Sequence, residues 1–286
     1  MQTKRILTIQ DISCVGQCSL TVALPVISAC GVEVGVLPSA LLSNHTAGYS
    51  GWTFRDLTDD IPEISSRWKK ENVKFDAFYT GYLGSTKQID YVRDIINTDG
   101  NPGALKIIDP AMADNGKLYP GFETEFVDSM KTLVAEADFI LPNITEAALL
   151  TGTEYKEVYD EAYDEAYVVD VCKKLSALGA KVIVLTGIGY DSESSGVVIY
   201  EQGKLNYYRH KKIQGGRNGT GDIYASVFVG ALMRGISTYD AARLAADFVV
   251  KAIENTLGDE NHWYGVKFEP AIPWLATTIE KLATPN

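Results

Sequence analysis

Residues 5–10 (RILTIQ) form a short apolar run, and a polar loop containing Gly16 follows over 11–19. An apolar helical pattern then spans 20–30, closed by Gly31, and a second apolar run covers 32–37. A strand, a loop, a helix and a strand in that order give parallel strands joined by a crossover helix. No other stretch restricts the fold as much. In open sheets of this type ligands bind just outside the carboxyl ends of the strands. The loop starting at Asp11 is therefore a candidate site from topology alone.

The alternation continues along the chain. Helical patterns are expected over 61–70, from Ser85 as cap to about residue 97, over 126–135, over 168–178, from Asp222 to about 234, over 238–255 and over 272–282. Strands are expected over 75–80, 104–109, 138–141 and 181–185, with a hairpin of 196–201 and 205–209 turning at Gln202-Gly203. With no internal repeat, low-complexity tract or linker, one doubly wound α/β domain over 1–286 is the economical reading.

Several stretches carry chemistry. Residues 215–222 read GGRNGTGD, with four glycines ahead of an apolar helix. Glycine permits left-handed turns and close backbone approach, and a helix start offers unpaired N–H groups. The stretch suits a phosphate-sized anion, with Asp222 as a possible proton acceptor. It equally suits a tight loop and a helix start, since Asp is favoured in a first turn. It is not a Walker A loop, and no ribose-binding acid follows as in a dinucleotide fingerprint. Residues 43–49 (SNHTAGY) place His45 and Thr46 in one loop that could clasp a polar ring. Asp109 ends a strand, where a carboxylate can face a metal or phosphate. Asn143 and Glu146 share the first turn of a helix, which fits a capping pair as well as a metal site. The acidic, tyrosine-rich residues 155–167 read as a solvated segment.

The formal charge of −11 opposes non-specific binding to nucleic acid or anionic membranes. No apolar run is long enough to span a membrane. Cys14, Cys18, Cys30 and Cys172 have neither CxxC nor zinc spacing and read as free thiols of a reducing cytoplasm.

In order, these stretches are an N-terminal strand with a polar loop, SNHT, TGYLGS, a strand ending in DP, PNxxE, a strand ending in TG, and GTGD. This series resembles the ribokinase-like superfamily and, within it, the pyridoxal (vitamin B6) kinases, over nearly the whole chain. The resemblance implies a ribokinase-like doubly wound, mostly parallel sheet with helices on both faces and no large lid domain. It implies transfer of phosphate from ATP to the 5′-hydroxymethyl group of pyridoxal, pyridoxine or pyridoxamine. Asp222 matches the base, and the N–H groups around Gly219, Thr220 and Gly221 match the anion hole. Asn143 and Glu146 match the motif that positions Mg²⁺, mostly through water, with Asp109 near the ion and phosphates. Thr186, Gly219 and Gly221 match ATP-phosphate positions, while His45, Thr46 and Tyr82 match positions around the pyridine ring. A cytoplasmic homodimer is also implied, with monovalent-cation activation left open.

The resemblance has departures. B6 kinases commonly carry Ser then His after the first strand's Ile-Gln, whereas Asp11 and Ile12 stand here, with Ser13 following. Either Asp11 or Ser13 is then the ring contact. Hydroxymethylpyrimidine kinases often carry Cys where Asp222 stands, which favours the B6 branch. Alternatives are hydroxymethylpyrimidine phosphorylation and non-catalytic B6-vitamer binding. At a helix start Asp222 is expected to stay ionised near neutrality. The loop at 113–121 is the candidate shield over the site.

Overall fold

The computed structural model describes residues 3–156, 164–213 and 218–283. In chain order the elements are β1 (Arg5–Ser13), α1 (Leu20–Ala29), β2 (Glu33–Leu42), β3 (Phe54–Asp56), α2 (Ile61–Lys70), β4 (Phe75–Thr80), α3 (Thr86–Thr98) and β5 (Gly100–Ile108). Then come β6 (Ala113–Asp114), β7 (Lys117–Leu118), α4 (Thr124–Val134), β8 (Phe139–Ile140), α5 (Ile144–Thr151), α6 (Glu165–Ala177) and β9 (Val182–Gly189). The chain closes with β10 (Ser194–Glu201), β11 (Lys204–Lys211), α7 (Thr220–Met233), α8 (Thr238–Thr256), a 3₁₀ turn at Glu269–Ala271 and α9 (Ile272–Leu282).

The main sheet has the order β11-β10-β9-β8-β5-β4-β1-β2-β3. From β2 through β9 neighbouring strands are parallel, while β3, β10 and β11 pair antiparallel at the two edges. The chain leaves β1 toward β2 and returns on its other side as β4. The order reverses there, so a crevice opens beyond the carboxyl ends of β1 and β4. Both faces are covered. Ile27, Phe228, Phe248 and Leu275 tie α1, α7, α8 and α9 to one face, while Val92, Met130, Leu150 and Val171 tie α3 to α6 to the other.

The helix that carries Asp222 is deeply set. Residues 223–231 and Met233 of α7 are all buried. A helix apolar all round belongs in a core. Its approach to α1 is close: a Cβ at Gly230 would stand 2.6 Å from the Cys30 Sγ. The element bearing the proposed base is therefore held by packing on every side.

Several boundaries differ from the sequence reading. The first strand runs on through Asp11 to Ser13, because residues 12 and 13 go on pairing with Leu41 and Leu42 past a register shift. The second extends to Leu42 and gains an edge partner, β3, which no local strand pattern signals. Residues 113–121 contain a small hairpin, β6–β7, turning at Asn115 and Gly116 with φ of 50° and 76°. The hairpin at Gln202-Gly203 is present, with positive φ at both residues. Of the acidic segment, residues 157–163 lie outside the described residues, and Asp164 caps α6. Cys14 is exposed and the other three cysteines are buried, all free. Among the described residues no helix is long and apolar enough to cross a membrane.

Candidate functional site

At the end of β1 the bulged register turns Asp11 and Ser13 into one buried pair. The Ser13 hydroxyl donates to Asp11 Oδ2 at 3.0 Å. Burial raises the Asp11 carboxyl, opposed by hydrogen bonds from Ser19 and Ser13 and by His45. His45 follows on the loop after β2, where the Val15 carbonyl accepts from its backbone N–H at 2.8 Å. Its Nδ1 accepts from the Ala47 N–H at 3.3 Å, so the neutral ring carries its proton on Nε2. Burial lowers the His45 pKa more than Asp11 raises it. Gly16 makes this approach possible: it has φ 109°, and a Cβ there would stand 2.7 Å from the His45 Cβ. Tyr82, just past β4, stacks on Phe122 at 5.6 Å and feels the Asp11 charge. Asp11, Ser13, His45 and Tyr82 are thus gathered at the crevice, with Thr46 exposed beside them.

The glycine motif enters from the other side. Gly215, Gly216 and Arg217 lie outside the described residues. Gly219 is the N-cap of α7 in a left-handed conformation, φ 79°. Its missing side chain is what lets it pack on the Gln17 carbonyl. Asp222 follows in the first turn, half-buried, with the Ser19 backbone N–H directed at its carboxylate. Loss of solvent pushes its pKa up to about 7; the Ser19 hydrogen bond opposes the rise and the Asp11 charge adds to it. The expectation of an Asp ionised near neutrality is corrected here. It weighed the helix start and omitted desolvation, the largest effect on this carboxyl.

A second acidic group stands beside the first. Asp109 is raised well above its ordinary value by burial and by the charges of Glu146 and Asp222. Glu146 is buried and pushed up to about 7 by desolvation. Asn143 and Glu146 form a complete capping box: the Glu146 N–H donates to Asn143 Oδ1 at 2.9 Å, and the Asn143 N–H donates to Glu146 Oε2 at 2.9 Å. Glu146 Oε1 also accepts from the Met112 N–H at 3.1 Å, and Asn143 Nδ2 donates to the Ala113 carbonyl at 2.8 Å. The capping alternative is therefore realised in full. Thr186 bridges to Asn143, and its N–H donates to the Pro142 carbonyl at 3.0 Å.

Sequence reasoning missed Tyr119. It follows the β6–β7 hairpin and donates its backbone N–H to the Met112 carbonyl at 2.8 Å. Burial, then the charges of Glu146, Asp109, Asp114 and Asp222, push its hydroxyl far up. The hairpin expected to shield the site thus brings a neutral phenol near the carboxylates. The Gly116 N–H donates to the Thr145 hydroxyl at 3.0 Å, which ties the hairpin to α5. An Asn-Gly turn signals a hairpin, but its destination is tertiary.

Desolvation is the main cause of the raised carboxyls of Asp109 and Glu146, and carboxyls raised in this way suit a neighbouring cation. Among the described residues, though, no three His, Cys, Asp or Glu side chains converge to ligate a metal directly. Both Glu146 oxygens and the Asn143 amide are already used in hydrogen bonds. The residues therefore fit a Mg²⁺ met by Asp109 and otherwise reached through water, which keeps a hydrated ion.

Comparison with known proteins gives the chain a family. The family model described as phosphomethylpyrimidine kinase matches residues 27–266. A Bacteroides thetaiotaomicron protein assigned to the phosphomethylpyrimidine kinases was solved in a crystal form with pyridoxal. It is 37% identical, with TM-score 0.88 and 96% of each chain covered. The pyridoxal kinase of Lactobacillus plantarum is 30% identical, with TM-score 0.89, over 99% of this chain and 100% of that one. The pyridoxal kinase PdxY of Paraburkholderia xenovorans is 30% identical over 276 residues, 87% of this chain and 88% of that protein.

Proposed function

Because the chain belongs to the phosphomethylpyrimidine kinase family and is a phosphotransferase of pyridoxal kinase type, we propose that it phosphorylates the 5′-hydroxymethyl group of a B6 vitamer with ATP. The observation that carries this reading is the convergence of Asp11, Ser13 and His45 beside Asp222, at the crevice where the sheet order reverses. A pyridine ring held by the first three presents its hydroxymethyl arm to the fourth. The near full-length likeness to pyridoxal kinases supports the same acceptor.

Phosphoryl transfer asks for positioning and charge stabilisation more than covalent chemistry. Asp222 accepts the hydroxyl proton as the new phosphorus–oxygen bond forms. A base with a pKa of about 7 suits that task near neutrality. The Gly219–Gly221 amides at the start of α7 face the charge that spreads onto the transferred group. Thr186 and Asn143 line the phosphate side, and Tyr119 closes over it as a neutral donor. When bound with the nucleotide, Mg²⁺ supplies positive charge to the γ-phosphoryl oxygens. Asp109 would hold it directly, with Asn143 and Glu146 acting through its water shell.

One observation favours a second reading. The matching family model is that of phosphomethylpyrimidine kinases, so a hydroxymethylpyrimidine is the rival acceptor. A coupled ADP-release assay decides, with ATP, Mg²⁺ and the three vitamers or hydroxymethylpyrimidine offered in parallel. Vitamer turnover that vanishes in Asp222→Ala is expected. Turnover of the pyrimidine alone would move the acceptor, and vitamer binding without turnover would leave a carrier.

A further inference from the structure

Gln17 belongs to none of the groups above, yet it touches two distant parts of the molecule. Its carbonyl packs against Gly219, the left-handed residue that opens α7. Its side chain reaches the opposite way, into the segment before α9. Nε2 donates to Glu269 Oε1 at 2.7 Å, and Oε1 lies 2.6 Å from His262 Nε2. A carboxylate can only accept, so Glu269 fixes which way the amide faces. The Gln17 oxygen then requires a donor, and the His262 Nε2–H is that donor. Gly265 leaves the room: a Cβ there would stand 2.8 Å from Gln17 Oε1 and 2.9 Å from its Cβ.

The neighbours of Gln17 are all engaged with the crevice. Gly16 packs on His45, and the Ser19 N–H is directed at the Asp222 carboxylate. Residues 16–19 therefore form a strap that touches the ring loop, the anion turn and the base together. The Thr21 hydroxyl of α1 holds the strap at the Cys18 carbonyl, 2.7 Å away, and the pair of side-chain contacts at Gln17 grips it from the segment before α9.

We propose that Gln17 is a positioning residue. Held by His262 and Glu269, it keeps its own carbonyl against Gly219 and so sets the turn that aims the α7 amides at the transferred phosphoryl group. The inference rests on the phosphotransferase reading, but no atom of Gln17 needs to touch substrate. Displacement of catalytic groups by about 1 Å costs on the order of 100-fold in rate, so a slack strap acts on turnover rather than on binding.

Gln17→Met tests this, since it keeps length and removes both side-chain hydrogen bonds. Gly265→Ala is the second variant, because it crowds Gln17 from the other side. Amide hydrogen exchange is followed on the full chain without ligand, and steady-state kinetics use pyridoxal and ATP. In both variants exchange at the first hydrogen-bonded amides of α7, from Ile223, whose N–H donates to the Gly219 carbonyl at 3.1 Å, should quicken by about 10-fold and kcat should fall by about 10-fold or more, with both KM values within about 2-fold. Wild-type exchange at Ile223 overturns the proposal. So does a rise spread evenly over the chain, which is simple destabilisation. If the unmodified protein turns over no vitamer, the acceptor reading fails, and the exchange at Ile223 still decides the role of Gln17.

Discussion

Asp222→Asn should make the protein more stable while removing its turnover, and the gain should depend on pH in a defined way. The folded carboxyl titrates at about 7 against an ordinary value of 3.8. Between those limits the folded state holds a proton that the unfolded chain has released, so stability falls as pH rises. The slope is about 1.4 kcal/mol per pH unit, which summed over the whole interval comes to roughly 4 kcal/mol. Asparagine keeps the shape and an oxygen for the Ser19 N–H, and it carries no charge. From pH 5 to 7 the variant should therefore gain roughly 2–3 kcal/mol on the wild type, and the gap should level off above pH 7. Urea unfolding of both proteins with divalent metal chelated measures it. Removing the Asp222 charge also relieves Asp109, which adds to the gain. Curves that run parallel from pH 5 to 8 would refute a desolvated Asp222, as would a gap that closes with rising pH.

Four further outcomes follow from the same geometry. The wild-type kcat/KM should rise with pH on an acid limb near 7, since the base must be deprotonated; a flat profile from pH 5.5 to 8 would deny Asp222 that role. Gly219→Ala meets both φ 79° and the Gln17 carbonyl, so kcat should drop by about 100-fold or more with the fold retained by circular dichroism. Asn143→Ala removes half of a capping box and should cost about 1–2 kcal/mol in denaturant unfolding; a cost near zero would mean the box is decorative. Tyr79 is fully buried and among the described residues its hydroxyl makes no hydrogen bond of ordinary geometry, so Tyr79→Phe should raise stability by about 1 kcal/mol, an idea that a lowered Tm would sink.

Most of the crevice was legible because its residues sit at strand ends and helix starts, where local pattern is strongest. The run 75–80 named β4, and Asp109 and Tyr82 fall just past strand ends, the region where ligands bind in open sheets. Asn143 and Glu146 were legible as a pair, but only the structure shows their oxygens committed to capping. The extension of β1 through Asp11 was not legible, because a polar residue after an apolar run reads as a loop. Its pairing depends on a register shift against β2 that no local pattern reveals. The Gln17 contacts to His262 and Glu269 join positions 245 and 252 residues apart, so no window along the chain contains them. The titration of Asp222 is not legible for the same reason. A helix start is a local feature, whereas desolvation is a sum over neighbours from the whole fold.

That sum also explains why the proposed base belongs on α7. A carboxylate on an exposed helix start would stay near its ordinary pKa and be too weak a base for an alcohol at neutral pH. Raising it requires burial, and burial of a charge is tolerated only where the rest of the element is held firmly. Residues 223–231 of α7 are buried without interruption behind Asp222, so the helix has stability to spare. In the proposed reaction the left-handed Gly219 would turn the chain so that the same helix start presents amides to the phosphoryl group and Asp222 to the hydroxyl. One packed helix would thus fix the relative placement of the proposed base and anion hole. The argument extends to any substitution that loosens α7 far from the crevice. Gly230→Ala, which pushes α7 off the Cys30 sulfur, should lower kcat as well as stability. Full kcat in a clearly destabilised Gly230→Ala protein would separate the packing of this helix from its chemistry.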